Sequence, residues 1–228
     1  MIANFIQLKI LLSLFIFACS FMPQTGFAQA GQSPIFVELF TSSGCPACPP
    51  ADRNLSTLIN QSSDIIGVSC HVTYFDRGNR RDPLSKPFCD ARQNVYKLAL
   101  KTGGIFTPMT IIQGKAYTTG KDLNDVKSII NQNISINYSP VSLQQNGQYL
   151  DIRLPSMPLQ NPADIWLFEL KKHDGRFQNS VTNITKLLRW SGQKLNMAFP
   201  VKPQNPNTAY ALVVQDYKTG IITSAKAR

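Results

Sequence analysis

The sequence IFVELFTSSGCPACPPAD, residues 35–52, places two cysteines between a predicted strand and a predicted helix. The apolar run over residues 34–40 predicts the strand, and the two prolines that follow the second cysteine are tolerated in the first turn of a helix. Cys45 and Cys48 thus form a C-x-x-C pair at a strand-to-helix junction. This placement is typical of thiol–disulfide chemistry, although the same spacing also provides half of a zinc site.

Cys45 is the candidate nucleophile of this pair. It precedes the helix, where peptide N–H groups and the helix dipole favour an anion, so the pKa of its thiol is expected below the free value of about 8.5. Exchange also requires an exposed first sulfur, and Cys48 is the expected resolving thiol. A static structural disulfide is the alternative, but so short a ring closes little loop entropy.

The segments up to residue 135 alternate between strand-like and helix-like patterns. The predicted order is β-α-β-α-β-β-α, which indicates an α/β fold with a mixed sheet between helices. The clearest helix covers residues 88–101, where the 3-4 spacing predicts an apolar face made of Phe88, Ala91, Val95 and Leu98.

Beyond residues 131–140, which are rich in Asn and Ser, the chain contains short strand-like runs separated by Gly, Pro and Asn. The runs cover residues 141–145, 149–154, 165–170, 195–201, 210–215 and 221–224. Residues 182–190 fit either a strand or a short helix. We expect a first domain over residues 31–135 and a smaller, β-rich, sandwich-like C-terminal domain over residues 138–228.

The N-terminal residues 1–30 have the pattern of a secretory signal peptide. An apolar run at residues 10–18 is followed by Ala28-Gln29-Ala30, a small-x-small cleavage pattern. The run is too short to span a bilayer, so we expect cleavage before Gly31 and no stable membrane insertion. Lipidation at Cys19 is the alternative. The expected location is periplasmic or secreted.

The chain has 23 Lys and Arg against 13 Asp and Glu, a formal net charge of +10. The basic residues form no dense run, and Arg80-Arg81 and Lys171-Lys172 are isolated pairs. Because nucleic-acid binding requires a clustered basic stripe, no nucleic-acid partner is expected. The charge indicates a solvated basic surface.

Two further cysteines lie on predicted core elements. Cys70 is at the end of a predicted buried strand, and Cys89 is at the start of the 88–101 helix. A structural disulfide between them would close a loop of about 20 residues, worth about 3 kcal/mol by chain entropy. There are two alternatives to this disulfide. Cys70 is a small buried apolar residue, or electrons are relayed between the two cysteine pairs.

His71 adjoins Cys70 and faces the other side of the strand. A hydrogen-bonded core histidine is the favoured interpretation. The functional alternative makes His71 a ligand for copper(I) or zinc together with Cys45 and Cys48. No cofactor or metal is assigned.

The chain resembles a family of secreted thioredoxin-like proteins catalogued as a domain of unknown function. The similarity lies in residues 37–52, 71–76, Arg92, Gln93, Tyr96, 106–109, Gln215, Asp216 and Gly220. The family usually has an acid, tryptophan, tyrosine and glutamine where this chain has Thr73, Phe75, Phe106 and Met109, and it does not usually carry Cys70 or Cys89. The resemblance implies a thioredoxin-like fold for residues 31–135 and no settled activity.

Thr107-Pro108 directly precedes a predicted strand, at the position where the thioredoxin fold has a cis-proline beside the active-site disulfide. We therefore predict a cis bond, with Thr107 offering its backbone to an extended substrate; a trans proline opening an edge strand is the alternative. Gln93 and its neighbours are expected to support the loop at residues 76–87 or to rim the site.

The sequence thus predicts an exported thiol–disulfide oxidoreductase. Cys45 would form a mixed disulfide with a protein or small-thiol redox partner, Cys48 would resolve it, and Pro108 would complete the site. The alternatives are a periplasmic copper- or zinc-binding chaperone and a non-catalytic thioredoxin-like binding module. No oligomeric state is predicted.

Overall fold

A computed structural model describes residues 34–133, 141–174, 176–202 and 205–227 of the chain. The predicted leader and most of the Asn/Ser-rich segment lie outside the described residues. None of the described helices is long and apolar enough to cross a membrane. The elements of the described chain, in order, are β1 Ile35–Thr41, α1 Pro49–Gln61, β2 Ile65–His71, α2 Pro87–Leu100, β3 Met109–Ile112, β4 Ala116–Thr118, α3 Leu123–Asn133, β5 Ser142–Asn146, β6 Tyr149–Leu154, β7 Ala163–Asp174, β8 Phe177–Trp190, β9 Leu195–Pro200, β10 Thr208–Asp216 and β11 Ile222–Ala227.

Eight of these strands form one mixed sheet, in the order β11-β10-β7-β8-β2-β1-β3-β4. The neighbours β1 and β2 are parallel, as are β2 and β8, and the remaining pairs in the sheet are antiparallel. Strands β5, β6 and β9 form a second, antiparallel sheet. The structure is therefore mixed α/β, as the alternating sequence pattern predicts.

The C-terminal half extends the first sheet, which differs from the predicted separate domain after residue 138. The junction lies between β2 and β8, where Ser69 pairs with Ser180 and the two hydroxyls are 3.3 Å apart. Strand β8 has 14 residues and includes the segment 182–190 that the sequence leaves undecided. It lies between β7 and β2 and pairs with one of them along each edge. One buried cluster accordingly contains Phe40 from the first half and Phe168 from the second.

Strand alternation on β1 determines which helix each side chain meets. Val37 and Leu39 share a buried cluster with the apolar residues of α1 and α3. Phe36 and Phe40 point to the opposite face, where they pack with Cys89 and residues of the C-terminal strands. The helices therefore cover both faces of the sheet around the strand that leads to Cys45.

The second sheet packs against the C-terminal part of the large one. Leu150 and Ile152 of β6 lie in a buried cluster with Ile165 and Leu212 of β7 and β10. The C-terminal strands are thus arranged in two layers, of which β7 and β10 belong to the shared sheet.

Helix α2 is rotated away from its predicted orientation. Cys89, Gln93 and Tyr96 are buried, whereas Val95 and Leu98 remain 61% and 75% exposed. The disulfide at Cys89 and the polar contacts of Tyr96 outweigh the apolar spacing, because these groups require partners inside the protein. Of the predicted apolar face, Phe88 packs against the core cluster, whereas Ala91, Val95 and Leu98 lie on the exposed side of the helix.

Candidate functional site

Cys45 and Cys48 form a disulfide at the start of α1, with their Cα atoms 5.5 Å apart. Cys48 is the N-cap residue of the helix, and its carbonyl accepts a hydrogen bond from the N–H of Asp52 at 3.1 Å. Prolines occupy the first helical positions, where a backbone N–H would have no acceptor within the helix, so its absence removes no helical hydrogen bond. The strand–loop–helix setting of the pair is as the sequence predicts.

The pair is more covered than the sequence analysis expects. Cys45 is 3% exposed and Cys48 is fully buried. The residues on either side of Cys45, Ser43-Gly44 and Pro46-Ala47, are exposed, so its sulfur lies just beneath the surface. A Cβ added at Gly44 would lie 3.3 Å from the Cβ of Phe75, and this close approach favours glycine next to the cysteine.

Thr107 approaches the disulfide from the segment before β3. The Thr107–Pro108 bond is cis, which confirms the predicted isomer. The Thr107 hydroxyl donates to the Sγ of Cys45 at 3.4 Å. Gln93 of α2 supports this segment, because its Nε2 donates to the carbonyl of Phe106 at 2.7 Å. The candidate residues Cys45, Cys48 and Thr107 therefore lie together.

Asp82 joins the loop before Cys45 to the loop over residues 73–86. One of its oxygens accepts hydrogen bonds from the Ser43 N–H at 2.6 Å and from His71 Nδ1 at 2.8 Å, and the other accepts from the Leu84 N–H at 3.0 Å. Burial opposes ionisation of Asp82, but these hydrogen bonds outweigh it and hold the pKa of Asp82 well below its usual range.

Asp52 is a second buried acid, one helical turn after Cys48. The Thr41 hydroxyl donates to one carboxylate oxygen at 2.7 Å, and Arg176 Nε lies 3.4 Å from the other, without hydrogen-bond geometry. Burial raises the pKa of Asp52, which the Thr41 hydrogen bond and the Arg176 charge only partly offset. The protonated form of Asp52 is therefore favoured on the buried side of α1, the helix that begins after Cys48.

His71 is a buried core histidine, as the favoured interpretation states. Its Nδ1 bonds Asp82, its ring packs edge-on against Phe177 with centroids 4.4 Å apart, and its Nε2 has no hydrogen-bond partner among the described residues. Among the described side chains, no three His, Cys, Asp or Glu groups are arranged to hold a metal ion. The structure therefore does not bring His71 together with Cys45 and Cys48 as a ligand set.

Cys70 and Cys89 form the second disulfide, with their Cα atoms 5.4 Å apart. Both residues are fully buried, in the cluster that α2 shares with the large sheet. Of the alternatives open from the sequence, the structure contains the bridge that ties β2 to α2.

Helix α2 is also held by an internal ion pair. Arg92 Nε lies 2.7 Å from the Oε1 of Glu38 on β1, and the Tyr96 hydroxyl donates to Oε2 of the same carboxylate at 3.0 Å. Gln215 of β10 lies 3.4 Å from Arg92 and donates to the Gly220 carbonyl at 2.6 Å. Arg92 and Tyr96 therefore connect α2 to β1 and β10 inside the protein.

Sequence reasoning does not find the acids that organise the site. Asp52 lies in the quoted C-x-x-C stretch, and its position one turn after Cys48 is the only local signal for it. Asp82 carries no such signal, because its partners Ser43 and His71 are 39 and 11 positions away. Glu38 looks like an interruption of an apolar strand until Arg92 is placed opposite it.

Comparisons with known proteins agree on the family and on the fold. Residues 36–215 match a protein family of unknown function, DUF1223. No curated protein matches the chain. The chain is similar to the crystal structure of protein AGR_C_4864 from Agrobacterium tumefaciens, with a TM-score of 0.76 and 25% identity over 87% of this chain and 95% of that one.

A second solved structure, HBP35 of Porphyromonas gingivalis, has a TM-score of 0.60 and 13% identity over 86% of this chain and 75% of that one. At this identity the likeness concerns the fold alone. The family match covers most of the chain and agrees with the resemblance to a domain of unknown function. The chain therefore belongs to the DUF1223 family of proteins of unknown function.

Proposed function

We propose that this protein is a thiol–disulfide oxidoreductase of an oxidising compartment, acting through Cys45 and Cys48. The observation that carries the proposal is the Cys45–Cys48 disulfide at the start of α1, with the Thr107 hydroxyl on the sulfur of Cys45. A hydroxyl in this position stabilises the thiolate that forms when the bond is reduced. The start of a helix favours the same anion.

Cys45 is the nucleophile and Cys48 the resolving thiol. Cys48 is fully buried, whereas Cys45 lies between exposed residues and contacts Thr107. A Cys45 thiolate attacks a substrate disulfide and releases one substrate thiol. Cys48 then attacks the Sγ of Cys45, releases the second thiol and re-forms the protein disulfide. Thr107 and Pro108 border this reaction, and a substrate chain is proposed to pair with the Thr107 backbone.

A thioredoxin-like arrangement of residues 31–135 is part of the proposal. Its support is the order β1-α1-β2-α2-β3-β4-α3, together with helices on both faces of the strand that leads to Cys45. Two disulfides in one chain fit an oxidising compartment, and we propose a periplasmic or secreted location with residues 1–30 removed. The intact mass of protein recovered from the cell envelope, beginning at Gly31, tests that processing.

Trapping the mixed disulfide tests the reaction. In the Cys48→Ser variant, reduced protein mixed with glutathione disulfide should retain one glutathione on Cys45, which intact mass and peptide mapping detect. The matched Cys45→Ser variant leaves only the buried Cys48 and should react at least about tenfold more slowly, since reactivity follows thiolate character and exposure. Equal rates in the two variants, or no adduct on Cys45, would contradict the assignment and leave a non-catalytic binding module as the function.

A further inference from the structure

A cleft of about 580 Å³ borders the loop that carries Cys45. Its lining includes Ser43 and Gly44, which directly precede Cys45, and Phe75, Arg77, Arg80 and Arg81 from the loop over residues 73–86. A volume of this size is ordinary for a small-molecule or short peptide ligand. The arginine pair that looks isolated in the sequence thus gains a third arginine and a position beside the disulfide.

The three guanidinium groups of the cleft are available for a ligand. Arg77, Arg80 and Arg81 are exposed, and none of them forms an ion pair with an acid of the described chain. The two carboxylates that line the same cleft have other partners. Asp82 binds His71, Ser43 and Leu84, and Asp76 accepts from the Asp82 N–H at 2.9 Å and the Ser85 hydroxyl at 2.7 Å.

The loop that carries these arginines is braced. The N–H of Arg77 donates to the carbonyl of Arg80 at 3.1 Å, and the N–H of Arg80 donates back at 2.9 Å across a tight turn. At the base of the loop, the Asp76 N–H donates to the Thr73 carbonyl at 2.8 Å. The guanidinium groups are therefore presented from an ordered backbone, fastened through Asp82 to the loop of Cys45.

We propose that this arginine cleft binds the carboxylates of a substrate disulfide or thiol whose sulfur reacts at Cys45. The inference rests on the proposed exchange reaction and adds the substrate class to it. Guanidinium groups bind carboxylates through paired, charge-assisted hydrogen bonds, and Phe75 supplies an apolar wall for the carbon chain between carboxylate and sulfur. A small carboxylated thiol and an acidic peptide around a cysteine share this chemistry.

The reaction with a carboxylated disulfide balances without a further reactant. The Cys45 thiolate bonds to one substrate sulfur while the substrate S–S bond breaks, and the first carboxylated thiol leaves. Cys48 then bonds to the Sγ of Cys45 and the second thiol leaves. The protein dithiol is oxidised to a disulfide, the substrate is reduced to two thiols, and the two thiol protons of the protein pass to the products.

A charge series of small disulfides tests the cleft. The reduced protein is mixed in separate reactions with 3,3′-dithiodipropionate, which is anionic, 2-hydroxyethyl disulfide, which is neutral, and cystamine, which is cationic. Because the three leaving thiols differ in pKa, each rate is divided by the rate of the same disulfide with 2-mercaptoethanol. On this normalised scale we expect the anionic disulfide to oxidise Cys45 and Cys48 about tenfold faster than the neutral one, and the cationic one to be slowest. Added salt should reduce these differences, because the charges meet near the surface.

The matched variants separate the cleft from the overall positive charge. R77Q/R80Q/R81Q removes three charges from the cleft, and R153Q/K194Q/K202Q removes three exposed charges elsewhere on the chain. The first variant should lose the preference for the anionic disulfide, through a greater loss of rate with that disulfide than with the neutral one. The second should retain the preference. Mixed disulfides of Cys peptides flanked by Glu or by Lys then show whether small molecules or polypeptides benefit more.

Equal normalised rates across the charge series in the wild-type protein would overturn the cleft assignment while leaving exchange at Cys45 in place. A preference that both triple variants lose equally would also overturn it, because the effect would then belong to net charge. Absence of reaction with all three disulfides would overturn both the cleft assignment and the proposed function.

Discussion

The disulfide Cys45–Cys48 spans three positions at the start of a helix, whereas Cys70–Cys89 spans 19 positions and ties a strand to a helix. The first pair adjoins exposed residues, the Thr107 hydroxyl and the arginine cleft. The second is fully buried in the core cluster. The contrast supports the proposed division of roles, in which the first pair reacts with a substrate disulfide and the second restrains the chain.

The helix that carries Cys89 also depends on the Glu38–Arg92 ion pair, and Glu38→Gln should have the largest effect on stability. The change leaves the Arg92 guanidinium, whose side chain is only 10% exposed, without its counter-charge, which costs about 3–5 kcal/mol in the free energy of unfolding. Urea unfolding measures the loss. Glu169→Gln, at the other glutamate of the chain, is the control and should change stability little. If the two variants are equally stable, α2 is not held by this ion pair.

Removing the buried disulfide should have the next largest effect. Cys70→Ala/Cys89→Ala opens a loop of about 20 residues and should lower the free energy of unfolding by about 3 kcal/mol. Cys45→Ala/Cys48→Ala opens a ring of four residues, for which the same relation gives about 2 kcal/mol. Urea unfolding compares the two variants. A greater loss in the second variant would reverse the structural part of the comparison.

Asp82 connects the loop before Cys45 to the loop over residues 73–86 through its hydrogen bonds. Because Asp82→Asn weakens these hydrogen bonds, it should destabilise the protein by about 2 kcal/mol at neutral pH. Because the native pKa of Asp82 is depressed, its contribution is complete above the unfolded pKa of about 3.9 and is lost as pH falls through the native pKa. The stability gap between wild type and variant should therefore shrink below about pH 4. Asp64→Asn, on an exposed turn, is the control and should change stability little at neutral pH.

A substitution of Thr107 should have a smaller effect, confined to the reactivity of the Cys45–Cys48 pair. In Thr107→Val the reduced Cys45 thiolate loses its hydroxyl donor, and its alkylation at neutral pH should slow by roughly tenfold. Thr107→Ser keeps the hydroxyl and should alkylate at nearly the wild-type rate. Alkylation is quenched at set times, and peptide mapping then measures the rate at Cys45 itself. Identical rates in all three proteins would remove Thr107 from the site.

The local elements of the fold follow from the sequence, because strand and helix patterns depend on neighbouring residues. The strands at residues 141–145 and 149–154 and the helix after Cys48 are examples. The joining of the two halves does not follow from the pattern, because it depends on Ser69 meeting Ser180 across 111 positions. The rotation of α2 is also non-local, since Cys89 and Tyr96 take partners on β2 and β1.

The candidate site divides in the same way. The Cys45–Cys48 pair and the position of Thr107 are predictable, because a short motif and an X-Pro pair signal them. The bracing by Asp82 is not, since its partners come from two separate segments. The arginine cleft is hidden for another reason: Arg77 is close in sequence to Arg80 and Arg81, but Ser43 and Gly44 complete the cleft from a distant loop.

The most direct test of the division of roles is the redox state of each pair in the same native protein. The protein is equilibrated in glutathione buffers of increasing reducing strength, the free thiols are alkylated, and peptide mapping assigns each cysteine. We expect Cys45 and Cys48 to pass from disulfide to dithiol as the buffers become more reducing, while Cys70–Cys89 stays oxidised throughout. Reduction of Cys70–Cys89 before or together with Cys45–Cys48, or a Cys45–Cys48 pair that does not respond, would contradict the account.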